Sequence, residues 1–311
     1  MLSAEQLERR RHGLGASEVA AVAGLHPYAS PWDVWMAKTV GVDAGAMSEA
    51  VELGEILEEP IARLYARRNP DVTLEPSDTV AHPAHPWALA TPDRNVLQGG
   101  RRVRLLEIKH AGLTTMRAWG AEDDAIPEQY IAQTQWQLFV TGEQIADVAA
   151  LVAGAPRFYR IERNEALIGY LFERAEAFMD LVRRGAPPAL DGSETARAWL
   201  VAQFPATKAP LRDATAEEHD LLRAYAAARA AAKAAAREQD RLAQLVVAAI
   251  GDAEGIAAPG ARATYRAPNG AWVQWEAVAT ELGAPPEVIA RHSTPMGRRL
   301  DVRVKDTEKN Q

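Results

Sequence analysis

The sequence predicts a mixed α/β domain followed by a mainly helical C-terminal extension. Three observations carry this. Short aliphatic runs bounded by turn residues are interspersed with longer stretches of helical periodicity as far as Arg184. A breaker, Gly185-Ala186-Pro187-Pro188, follows them. Beyond it the chain turns alanine-rich, with ten alanines among the 21 residues Leu221–Arg241. The expected domains are therefore 1–190 and 191–311, and 311 residues is a length that suits two.

Taken in order, Gly13, Gly15 and Ser17 lead into a helix from Glu18 to Ala23, with Ser17 as its N-cap and Gly24 as its stop. A short helix starts near Ser30-Pro31 and carries Trp32, Val34, Trp35 and Met36. Glu49 to Arg68 is helical, with Leu57, Ile61, Leu64 and Tyr65 on one face and Pro60 disturbing it. Val80 to Asp93 holds three prolines and reads as a loop feeding a short strand that ends in a turn. Val103–Lys109 is the clearest strand, preceded by the hairpin signal Gly99-Gly100. Glu128–Thr141 is a buried helix stopped by Gly142, and two strands, Ala146–Ala153 and Phe158–Glu162, come next. A helix from Glu165 to Arg184 closes the domain. In the extension, Thr215-Ala216-Glu217-Glu218 is a capping box for a helix reaching Ile250, on the order of 50 Å long. Asn269-Gly270 between Ala263–Arg266 and Trp272–Trp275 reads as a hairpin.

Composition narrows the chemistry. With 48% apolar and 25% charged residues the chain is globular. No eighteen-residue stretch is free of charge, which excludes a transmembrane helix, and Met1–Gly13 has no apolar segment of a secretory signal. The absence of cysteine excludes disulfides, thiolate zinc sites, iron–sulfur clusters and cysteine nucleophiles, and suits a reducing cytoplasm. A metal would have to be held by carboxylates, histidine or backbone oxygen, and carboxylates favour Mg²⁺ or Mn²⁺. Net charge is −7, all of it in residues 1–190 (19 basic, 26 acidic), whereas 191–311 balance at 16 and 16. Any DNA binding is then expected in a groove, with help from divalent ions.

Within the strand Val103–Lys109, Glu107 and Lys109 share a face, their α-carbons roughly 6.5 Å apart, while Ile108 points to the other. An isolated Glu-x-Lys would be read as a cross-strand ion pair. Pro92-Asp93 lies fourteen residues before Glu107, at a hairpin-like distance. Lysine is scarce, six against 29 arginines, and Lys38 and Lys109 are the two before residue 200. Gln133 and Gln137 put polar groups one turn apart on the otherwise apolar helix that follows. His82 and His85, flanked by prolines, read as loop residues, and Trp32, Trp35, Trp87 and Trp136 as packing.

Pro-Asp, a spacer and Glu-x-Lys resemble the signature of the PD-(D/E)XK nuclease superfamily. Arg10–Gly24 with Pro27-Tyr28, Ser30-Pro31 and Trp35 resembles the opening of the YqaJ-type viral recombinases, relatives of phage lambda exonuclease. Gly54 with Leu57-Glu58-Glu59-Pro60, His85-Pro86-Trp87 leading to Pro92-Asp93, Leu106–Lys109, and Ile126-Pro127 through Gly142 follow in that family's order. The resemblance implies a restriction-endonuclease-like core with a central mixed sheet flanked by helices. It implies Mg²⁺, replaceable by Mn²⁺, held by Asp93, Glu107, the Ile108 carbonyl and Glu59. Lys109 would orient or help deprotonate a water, and Gln133 would hold the lysine or that water. A helical wheel sets Glu59 away from the apolar stripe, so Glu58 competes with it. Arg10 and Ser17 would contact a 5′-phosphate.

The activity so implied is 5′–3′ digestion of linear duplex DNA to leave 3′ tails. The enzyme would be a ring-shaped homotrimer beside a single-strand-annealing protein in a bacterial host, encoded by a phage or prophage. An endonuclease or repair nuclease of other polarity on the same fold, and a non-catalytic DNA-end or partner-binding module, are the alternatives.

Overall fold

The computed structural model describes residues 12–41, 49–122, 125–259 and 261–266, with a few positions between 278 and 288. The chain divides into two compact units, Met1–Trp199 and Leu200–Gln311.

The first unit is a mixed α/β fold. Strand β1 (Leu14–Gly15) leads into α1 (Ala16–Val22), then α2 (Pro31–Thr39) and α3 (Glu49–Arg68). Five strands follow: β2 (Thr73–Pro76), β3 (Val80–Ala81), β4 (Ala88–Ala90), β5 (Arg94–Gln98) and β6 (Arg101–Ala111). Then come α4 (Glu128–Thr141), β7 (Ile145–Val152), β8 (Ala155–Glu162), α5 (Glu165–Arg184) and α6 (Glu194–Gln203). The central sheet has the order β2-β5-β6-β7-β8, and β1-β4-β3 form a smaller one. Only the β6–β7 pair of the central sheet is parallel, because the chain crosses over through α4 between them.

Alternation along β6 divides the core. Leu106 and Ile108 meet Ile61 and Tyr65 of α3 on one face. Leu105 meets Leu138 of α4 on the other, the face shared by Glu107 and Lys109. The largest apolar cluster joins α1, α2, α4 and α5 around Trp32, Trp136, Leu171 and Met179. Trp32 and Trp136 are fully buried and Trp35 nearly so, and Trp87 packs against the same cluster, so the tryptophans are packing residues. His82 and His85 belong to this aromatic layer: His82 stacks on Phe139 at 4.3 Å and His85 lies 4.7 Å from Phe172. Packing extends beyond the proline breaker, since Trp199 sits 5.1 Å from Trp32 and Thr195 donates to Asp33.

Three local readings differ from the sequence expectation. Gly15, not Ser17, caps α1: Glu18 reaches back to accept from the Gly15 N–H at 2.8 Å, and Ser17 lies exposed in the first turn. Helix α3 runs unbroken through Pro60. Strands β2 and β5 lie where no separate strand was expected. Gly13 is a site of close approach, because a Cβ there would stand 2.6 Å from Leu89 Cδ1 and 2.8 Å from the Trp87 carbonyl oxygen. Gly13→Ala is therefore expected to destabilise the first unit by about 1–3 kcal/mol, read from urea unfolding. An unchanged midpoint would show that the β1–β4 contact yields freely.

In the second unit, α7 (Ala216–Ile250) is capped by Thr215, whose hydroxyl accepts from Glu218 N–H at 3.2 Å. Ile250 is its one buried residue among those described. Strands β9 (Gly255–Ala258) and β10 (Ala261–Thr264) form a hairpin. Part of the expected Ala263–Arg266 strand thus pairs backwards with β9, and the Asn269-Gly270 turn lies outside the described residues. No described helix is long and apolar enough to cross a membrane.

Candidate active site

Asp93 stands where the chain leaves the small sheet and enters the central one, between β4 and β5. Its Oδ2 accepts from the backbone N–H of Ile108 at 2.6 Å, which fixes it against the neighbouring strand. One residue to either side of Ile108, Glu107 and Lys109 point to the α4 face. Lys109 Nζ donates to Glu107 Oε1 at 2.5 Å. From α4, Gln133 Nε2 donates to the same oxygen at 2.5 Å and Gln137 Nε2 to Oε2 at 2.6 Å. Glu107 is only 2% exposed, so these donors supply what water would.

The four residues Asp93, Glu107, Lys109 and Gln133 line one cleft of about 660 Å³, together with Glu55, Glu58, Glu59 and Arg94. Burial, and after it the negative charge of Glu107, pushes the Asp93 carboxyl up to about 8 against the partial relief of Lys109 and the Ile108 N–H. Burial alone would lower Lys109, but Glu107 and Asp93 outweigh it, and its ammonium is held above the ordinary lysine range. The ammonium also lies 5.0 Å over the Tyr130 ring.

Glu59 is at the margin of this group. Its carboxylate accepts from Arg63 at 3.0 Å and Arg94 at 3.2 Å, and these contacts hold it below the usual carboxylate range. Glu58 is the acid of α3 whose charge reaches Asp93, and its Oε1 accepts from Arg94 Nη1 at 2.5 Å. Arg94, which the sequence reading passed over, ties both α3 acids to the start of β5 and also donates to the Asp93 carbonyl at 2.6 Å. Its position directly after Asp93 was the available signal. Among the described residues no three His, Asp or Glu side chains converge as a metal set. What converges is two carboxylates with a nearby peptide, all oxygen donors of the hard-ion type, and the Glu107 charge adds to burial in holding the proton on Asp93. The residues present fit a divalent cation in that sense. Arg10 lies outside the described residues.

Residues 5–144 match the family model described as the YqaJ-like viral recombinase domain. The uncharacterized protein YqaJ of Bacillus subtilis (strain 168) is 32% identical over 209 residues, 66% of this chain, and the chain spans 64% of that relative's length. Among solved structures, an alkaline exonuclease from Laribacter hongkongensis is similar with a TM-score of 0.49 and 22% identity, covering 65% of this chain and 98% of that one. A phage-related exonuclease from Haemophilus somnus 129PT gives a TM-score of 0.45 and 13% identity, covering 55% and 94%. Residues 5–144, which hold Pro92-Asp93 and Glu107-x-Lys109, thus carry a YqaJ-like viral recombinase domain.

Proposed function

We propose that this chain is a Mg²⁺-dependent 5′–3′ exodeoxyribonuclease, with Mn²⁺ able to substitute. It acts on linear duplex DNA ends and leaves 3′ single-stranded tails for phage-type recombination. The observation that supports this reading is the convergence of Asp93, Glu107 and Lys109 in one cleft, with Asp93 pushed up to about 8 by burial and, after it, by the charge of Glu107. Asp93, Glu107 and the Ile108 carbonyl would hold the ion, with Glu59 or Glu58 as the additional acid. When bound, a divalent ion there lowers the pKa of a water and neutralises charge on the phosphate.

The chain's own groups do the rest. Lys109, as an ammonium, donates to the attacking water and offsets the negative charge that grows on the phosphoryl oxygens. Gln133 keeps Glu107 Oε1 in place while it does so. In the reaction a water oxygen bonds to phosphorus and the P–O3′ bond of the terminal nucleotide breaks. The departing 3′ oxygen takes up a proton, and the proton lost by the water balances it. Arg10 and Ser17 are the proposed 5′-phosphate contacts. A homotrimeric ring and a single-strand-annealing partner complete the reading.

The test uses linear duplex with 5′-phosphate, linear duplex with 5′-hydroxyl, and closed circular DNA, each with Mg²⁺. Loss of the linear forms alone, fastest with 5′-phosphate and absent in Asp93→Ala and Lys109→Ala, is the expected result. Cutting of the circle would mean an endonuclease. DNA binding without any metal-dependent loss of length would end the enzymatic reading and leave a DNA-end-binding module.

A further inference from the structure

We infer that Gln137 is a positioning residue that sets how Glu107 presents its carboxylate to a divalent cation, an inference that rests on the metal-dependent reading above. Gln137 has no exposed surface, whereas Lys109 keeps 19% of its side chain exposed and Gln133 is partly open to the cleft. The two donors on Glu107 Oε1 can therefore exchange partners with water or ligand. The donor on Oε2 cannot.

An ionised carboxylate offers about four acceptor positions. Lys109 and Gln133 fill two on Oε1, and Gln137 fills one on Oε2 at 2.6 Å. One position is left for a cation unless Lys109 moves off. Gln137 thus decides which way the carboxylate plane faces when the cleft side of the network rearranges.

The amide is held in this orientation at a cost. Gln137 Oε1 is buried without a hydrogen-bond partner among the described residues, an arrangement that costs on the order of 1–3 kcal/mol. Turning the amide over would place that oxygen against Glu107 Oε2, acceptor to acceptor. A glutamine retained for packing alone would do better as methionine or leucine at a position with no exposed surface. Its backbone is also fixed, because its carbonyl accepts from Thr141 Oγ1 at 2.7 Å.

Mn²⁺ alone, titrated calorimetrically into the full chain without DNA, tests the inference. Gln137→Met keeps the volume and loses the donor. It should bind Mn²⁺ about 10–100-fold more weakly, as loss of an outer hydrogen bond to a ligand does. The Mn²⁺ needed for half-maximal DNA loss should rise in parallel, while the rate at saturating Mn²⁺ stays within a few-fold. Gln137→His, which restores a donor, should recover part of the affinity. Unchanged Mn²⁺ affinity in folded Gln137→Met overturns the inference and makes Gln137 a packing residue. If Gln137→Met does not fold, a folded Gln137→His that binds no Mn²⁺ would overturn it equally. Absence of Mn²⁺ binding in the unsubstituted chain would bring down the metal reading as well. Binding that is lost in Asp93→Ala but intact in Gln137→Met would leave that reading standing.

Discussion

Asp93→Asn should yield a protein that is inactive yet melts higher than the natural sequence in the presence of a chelator. Activity should fall by at least on the order of 10³-fold, since a charged oxygen at the reacting centre is lost. The stability gain follows from the protonation of Asp93. Unfolded, its carboxyl ionises near 3.8; folded and without a cation, burial and the Glu107 charge hold it protonated to about 8. Between those values the native state binds more protons than the unfolded state, so stability falls as pH rises and the loss is complete above about 8. Each pKa unit is worth about 1.4 kcal/mol. A gain of a few kcal/mol, or about 5 °C or more, is expected at pH 8 and little at pH 4. The asparagine can still accept from the Ile108 N–H. Melting curves at both pH values in chelator decide it: a variant that melts lower, or with the same offset at each pH, would contradict the charge argument. Mn²⁺ should raise the melting temperature of the natural sequence and not of the variant.

Asp147→Ala should be the most damaging single change away from the cleft. Asp147 is 4% exposed and sits on the α3 face of β7, the face opposite to Glu107. Tyr65 donates its hydroxyl to it, Arg160 Nε donates at 3.0 Å, and Arg104 Nε lies 2.8 Å away. Burial, then the bond to Asp147, pushes the Tyr65 hydroxyl up to about 12. Removing the carboxylate leaves a half-buried guanidinium and a buried phenol without their partner, and breaking such a cluster costs about 3–5 kcal/mol. The first unit should melt roughly 10 °C lower, with activity per folded molecule near normal at low temperature. A shift under about 2 °C would mean that Arg104 and Arg160 find water readily.

The helices were legible because their signals are local. The spans Glu49–Arg68, Glu128–Thr141 and Glu165–Arg184 could be read directly, the last two from periodicity closed by Gly142 and Gly185 in left-handed conformation. Strand β6 was legible from its aliphatic run, though it extends two residues further at each end. Strand β2 (TLEP) is short, mostly exposed and ends in proline, and β5 (RNVLQ) buries only Val96 fully, so neither shows the apolar alternation that marks a strand. Strand β5 forms on the template of β6 and β2 on that of β5, which is tertiary information. In the cleft, Asp93, Glu107, Lys109 and Gln133 could be assembled from spacing and resemblance. Their hydrogen bonds could not. Gln137 was visible as a polar residue on an apolar helix, and Asp147 as a charge within a buried strand, but nothing local names the partner of either.

The β5–β6 ladder changes register once, between Val96 and Leu97: Val96 faces Arg104, while Leu97 faces Arg102. Val103 is the unpaired extra residue, and it lies between the Gly99-Gly100 turn and the pairing of Arg94 with Leu106 beside the carboxylates. A one-residue slip in a regular ladder would turn every following side chain to the opposite face. Here the bulge acts as a gear between two independently registered halves. Changes in length or sequence at the turn are taken up at Val103, and the alternation that aims Glu107 and Lys109 toward α4 is insulated from them. Residues at the hairpin tip can therefore vary while the chemistry behind it stays aligned.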